Sequence, residues 1–263
     1  MLVAAARPGV GAADATTAST GAERGNLNVF YVVDRSSAGA VTDYGDGKAR
    51  IDGVRSDIAT LTARYPGARF ALITFTSRPS LDWPLSADSW SFGPQTTALR
   101  ADETAQSRTQ VDAAAAANVL RYQLIAAGQQ YPGSQNIVFY FGFGAPGSQA
   151  PQGEFDLAPH LVDGGTVFGY GATDGPQAMN ENQLRRVAEQ LGIGYVNRID
   201  AEPLPPTASP QGRTESAQNS AIVVRTQLYW LFALAACPLL LVEVYLSVRD
   251  LRRSRAAHRE VTL

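Results

Sequence analysis

The chain has 263 residues, 45% hydrophobic and 17% charged, with a formal net charge of −2 at pH 7. Once an apolar C-terminal run and its tail are set aside, about 200 residues remain, enough for one well-buried domain with linkers and not for two. Basic residues gather after Val248, so the part before Thr226 is acidic and shows no basic face, which excludes nucleic acid as its partner.

Residues 1–6 are apolar but too few for a signal-peptide core, and Arg7-Pro8 ends them. They read as the stub of an upstream membrane helix and, with the Gly-, Ala-, Thr- and Ser-rich stretch that follows, as a flexible lead-in over 1–26. The run LNVFYVV at 27–33 is apolar throughout, which predicts a strand in a sheet covered on both faces. Ile51, Val54, Ile58 and Leu61 recur at spacings of three and four, a helix over 51–65 with one buried stripe, stopped by Pro66-Gly67. RFALITFT at 69–76 is a second strand. The stretch after Phe75, with Pro79, Pro84 and Pro94, reads as a long loop, and Trp83 and Trp90 on it are either partner-binding aromatics or a hydrophobic plug.

Alanine-rich residues 109–130 predict one long helix, ended by Pro132-Gly133. Strands follow at 136–141 and 165–170, a helix at 180–191 and a short strand at 194–197. Strands alternating with helices predict a doubly wound, mostly parallel α/β sheet with helices on both faces, a domain over 27–200. Residues 201–225, rich in Pro, Ser and Thr, form a linker.

The apolar run at 228–248 would span roughly 31 Å as a helix, matching a bilayer core, so a transmembrane helix is predicted over 226–248. Tyr229 and Trp230 stand at its start. Arg249, Arg252, Arg253 and Arg255 follow its end, which places the tail 249–263 in the cytoplasm and the domain outside it. The sole cysteine, Cys237, lies within this run, so no intrachain disulfide or thiolate metal site exists. Glu243, a carboxylate in a spanning segment, either reaches the headgroups and pairs with Arg249 or pairs with a second helix.

The first strand ends in Val32-Val33-Asp34-Arg35-Ser36-Ser37-Ala38. This resembles the von Willebrand factor A domain, whose first strand ends in Asp-x-Ser-x-Ser. The strand Arg69-Phe70-Ala71-Leu72-Ile73-Thr74-Phe75 and the segment Ser107-Arg108-Thr109 resemble the corresponding strand and threonine loop. The resemblance covers about residues 25–200 and implies a divalent cation, magnesium or manganese, held by Asp34, Ser36 and Thr109. Two positions depart from the pattern. Ala38 replaces a serine, and Gly142-Phe143-Gly144 stands where the family has Thr-Asp-Gly, so cation binding is weak or vestigial, or is completed by a partner's carboxylate. Asp34 otherwise orients its loop. Asp43, Asp46 and Asp52 are expected to be solvated or helix-capping.

Stub, domain, spanning helix and basic tail together resemble the Bat-type membrane proteins of the bacterial cell envelope. That resemblance implies other Bat-type membrane proteins and AAA+ ATPases of the MoxR type as associates, and a protein partner is expected at the apical face of the domain. The expected function is a non-enzymatic, membrane-anchored interaction module. The alternatives are a metal-dependent adhesin and a Rossmann-like hydrolase using Asp34. For the hydrolase the sequence offers no base, nucleophile pair or phosphate loop: His160 and His258 are its only histidines. Gly142 to Gly147 fits G-x-G-x-x-G, but no helical pattern follows it.

Overall fold

A computed structural model describes residues 26–199 and 202–204. All of them belong to the first of two units, Met1–Gly212, and none to the second, Arg213–Leu263. The lead-in up to residue 25, the predicted membrane helix, Cys237, Glu243 and the basic tail thus lie outside the described residues. Among the described residues no helix is long and apolar enough to cross a membrane.

The apolar runs pair into one sheet of six strands: β1 (Leu27–Asp34), β2 (Arg69–Phe75), β3 (Pro79–Ser86), β4 (Gln135–Gly142), β5 (Gly164–Gly169) and β6 (Gly194–Asn197). Their order is β3-β2-β1-β4-β5-β6. Every neighbouring pair is parallel except β2 with β3. In β1 every residue after Leu27 is buried, as a central strand covered on both faces requires. Helices α1 (Arg50–Arg64) and α2 (Ser89–Thr97) cover one face, and α4 (Ala117–Gln130) and α5 (Glu181–Leu191) cover the other. The α1 side is an aromatic layer built from alternate positions of adjacent strands. Tyr31 stacks on Phe70 and on Phe139 at 6.0 Å, and Phe141 stacks on Phe168 at 5.4 Å.

Two elements differ from expectation. The stretch after Phe75 is no loop: it forms β3 and α2. Prolines 79 and 84 are tolerated because β3 is an antiparallel edge strand, where a missing N–H costs no interior ladder bond. The single helix expected over 109–130 is divided. A one-turn helix, α3 (Gln106–Thr109), is followed by turns, and α4 begins only at Ala117. The cause is Asp112, whose Oδ1 accepts the backbone N–H groups of Ala114 and Gly153, both at 2.9 Å, in competition with helical bonds.

The parallel strands give the domain an apical pole, at their carboxyl ends, and a base. The chain enters at the base, where Asn26 donates through Nδ2 to the Gly133 carbonyl at 2.7 Å. It also leaves there. After β6 the chain turns back along α1, held by Arg198 Nη1 donating to the Glu202 carbonyl at 2.7 Å and Arg64 Nη2 to that of Leu204 at 2.8 Å. Leu204 is itself buried in the aromatic layer. A buried ion pair anchors this strap: Arg198 donates from Nε and Nη2 to Asp57 at 2.8 and 2.9 Å, and the Tyr170 hydroxyl donates to the same carboxylate at 2.7 Å.

Candidate functional site

The sheet order reverses between β1 and β4, and ligands of open α/β sheets bind in the crevice at such a switch point. A cleft of about 650 Å³ lies there. Its walls come from the 3-10 turn after β1 (Ser37–Ala40) with Val41 and Thr42, from Pro146-Gly147 after β4 and from the segment from Gly175 to Ala178 after β5; Glu103 and Arg108 bring charges of both signs.

Asp34 ends β1 beside this cleft and has no exposed surface. Its Oδ1 accepts the Ser36 backbone N–H at 2.8 Å, and the Phe143 backbone N–H also favours its charged form. Burial outweighs these bonds and pushes its carboxyl up to about 6. The Ser36 hydroxyl beside it further favours ionisation, although it stands outside hydrogen-bond geometry. Asp34 Oδ2 and Ser36 Oγ are both buried without a hydrogen-bond partner among the described residues.

Thr109 reaches the same pole but not the same chemistry. It is exposed, its hydroxyl donates to Ala105 in its own helical turn at 3.4 Å, and its carbonyl accepts the Gln149 N–H at 2.8 Å. Its segment is nevertheless tied to the loop after β1. Asp102 donates its N–H to the Arg35 carbonyl at 2.6 Å, and the Ser37 hydroxyl donates to that of Ser107 at 3.3 Å. Phe143 is fully buried, with its ring against Gly39, so the loop after β4 turns a phenyl group into the core. Among the described residues no three His, Cys, Asp or Glu side chains gather as a metal site. One buried carboxylate and one buried hydroxyl do not complete the six oxygen ligands of magnesium.

The aromatic candidates lie elsewhere. Trp83, on β3, is half-buried and packs on Phe92 with ring centroids 6.1 Å apart. Trp90, at the start of α2, is 89% exposed.

Sequence reasoning missed what holds the apical loops together. Asp43 is neither simply solvated nor a cap: it takes the fully buried Arg50 in a two-point ion pair, 2.6 Å at Nε, and accepts the Ala172 N–H at 3.0 Å. Arg50 also donates to the Gln177 carbonyl at 2.7 Å, which joins the loop after β1 to the loop after β5. Gly171, at φ +117°, leaves room for the guanidinium, and a Cβ there would lie 2.2 Å from Arg50 Cζ. Asp52 instead pairs with Arg55, one helical turn along. The only local signal was an arginine at the start of a helix, where a cation is disfavoured by the helix dipole.

No protein-family model matches the chain, and no curated protein sequence matches it. Solved structures to which it is similar include the conserved hypothetical protein BatB of Bacteroides thetaiotaomicron, 13% identical over 65% of this chain and 89% of that one, with a TM-score of 0.46. An aerotolerance-related membrane protein of Bacteroides fragilis is 14% identical over 65% of this chain and 90% of its own, with a TM-score of 0.45. Proximal thread matrix protein 1 of the mussel byssus, solved with a zinc-occupied MIDAS motif, is 12% identical over 66% and 42%, with a TM-score of 0.42.

Proposed function

We propose that this chain is a non-enzymatic, membrane-anchored interaction module of the Bat type, whose apical cleft binds a protein partner outside the cytoplasm. The observation that carries this reading is the cleft itself. It is open, built by loops after three strands and the segment before α4, and carries Arg108 and Glu103 at its wall in place of a nucleophile–base pair. Asp34 is sealed beneath it, which suits a residue that fixes the loop rather than one that meets a substrate. Anchoring rests on the apolar run at 228–248 and the arginines after it. The partners suggested by the family resemblance are other Bat-type membrane proteins and a MoxR-type AAA+ ATPase, the latter through the cytoplasmic tail.

A photo-reactive residue at Gln177, on the cleft wall, tests this in intact cells against the same residue at Gln129 on α4. One protein crosslinked reproducibly from Gln177, not from Gln129, and lost on Arg108→Glu is the expected result. Failure to crosslink any protein from the cleft rejects the reading.

A second reading, a metal-dependent adhesin, is favoured by the unpartnered Asp34 Oδ2 and Ser36 Oγ. Calorimetric titration with magnesium and manganese decides it. The protein alone is expected to bind neither up to millimolar concentration; saturable binding lost on Asp34→Ala would establish the adhesin.

A further inference from the structure

The base of the domain carries a group that the apical cleft does not use. β3 runs from the apical pole down to the base, where Ser86 pairs with Phe70, and α2 starts three residues later and climbs back. Trp90 is the second residue of that helix and is 89% exposed. Side chains on a helix lean toward its N-terminus, so the indole leans toward the base and away from the cleft.

This pole is made of short turns and carries two arginines, Arg64 at the end of α1 and Arg69 over the Tyr131 ring at 3.7 Å. Helices α1 and α4 both end here in the same three residues, Tyr65-Pro66-Gly67 and Tyr131-Pro132-Gly133, whose Pro and Gly are exposed. Asp88 is the acid beside Trp90, and its carboxylate is engaged in capping α2 by accepting the Ser91 N–H at 3.0 Å. The chain enters and leaves at this same pole, at Asn26 and Leu204. The apolar run begins in sequence at Leu228.

We propose that the base rests on a lipid bilayer surface with the indole of Trp90 seated among the headgroups. This inference depends on the membrane-anchor reading above. An indole has an apolar body and one N–H donor, and the bilayer interface is where such a ring is favoured. Tethering makes the contact intramolecular, so a contact too weak to hold a free domain becomes populated. A protein partner or a second copy fits less well. Among the described residues the other exposed large apolar side chains, Leu81, Tyr122, Ile125 and Ile199, lie outside α2, and a stable protein interface needs a contiguous patch of about 800 Å² on each side.

Tryptophan quenching on the full chain, reconstituted in phosphatidylcholine vesicles with lipids spin-labelled near the headgroup, tests the proposal. The chain has three tryptophans, Trp83, Trp90 and Trp230, and each outer one is replaced in turn. Trp90→Phe alters an exposed position and leaves the core intact. With Trp90 and Trp230 both at the interface and Trp83 inside the domain, W90F is expected to reduce shallow quenching roughly two-fold, and W230F similarly. If W230F reduces quenching and W90F does not, the anchor stands and the base contact is overturned. If neither reduces it, the anchor reading fails and the base contact falls with it. A blue-shifted Trp90 emission that follows protein density and ignores the labelled lipid overturns the proposal in favour of contact between copies.

Discussion

Asp34 shows how burial can outweigh the hydrogen bonds that favour a carboxylate's charge. Because the folded carboxyl binds its proton more tightly than the unfolded one, its contribution to stability is most favourable below about pH 4, declines as pH rises to about 6, and stays unfavourable above it. At pH 7 this amounts to a penalty of about 3 kcal/mol. Asp34→Asn should therefore be more stable than the wild type at pH 7, by up to about 3 kcal/mol, with a flatter profile between pH 4 and 6. Urea denaturation across that range measures both. Arg198 works in the opposite sense. Its removal strands the buried carboxylate of Asp57, so Arg198→Ala should cost about 3–5 kcal/mol, and Asp57→Ala made on top of it should add less than it costs alone. The same unfolding measurement, as a double-mutant cycle, reads that coupling.

At the scale of elements, the parallel core was legible because LNVFYVV, RFALITF and NIVFYF are apolar without alternation, the mark of strands buried on both faces. The edge was not. In β3 the prolines argue against a strand unless it is known to be an edge, and only the assembled sheet supplies that knowledge. The helix break at Asp112 was likewise invisible, since its second partner, Gly153, is 41 residues away. For the site, Asp34 and Ser36 could be read from the end of β1, whereas the Asp43–Arg50 frame links loops whose contact is set by the fold: Asp43 and Ala172 are 129 residues apart. Gly144 belongs to this scale too. At φ +74° it lets the loop after β4 touch the start of α5, and an added Cβ would lie 2.1 Å from the Asn180 carbonyl. Gly144→Ala should destabilise by more than about 1 kcal/mol and loosen α5, seen as faster amide exchange there.

For the molecule as a whole, the poles divide the work: the loops that line the cleft gather at the apical end, and Asn26 and Leu204 lie at the other. The proposed topology makes a direct expectation with the native Cys237 replaced by serine. A cysteine placed at Gln149 should react with an impermeant maleimide on intact cells, and one placed at Ser254 only after the membrane is opened. Labelling of Ser254→Cys on intact cells would reverse the orientation argued from the arginines.

The strap along α1 also has a mechanical meaning. Tension drawn between Asn26 and Leu204 enters the fold at one pole, so the strap's bonds are loaded one after another, as in a zipper, and not together in shear. The Arg64 bond to Leu204 yields first, the Arg198 bond to Glu202 next, and the clasp on Asp57 last. A pull can thus release the strap from α1 residue by residue, and because Ile199 accepts the Gly45 N–H at 3.2 Å, its last step carries the pull to the loop after β1 at the far pole.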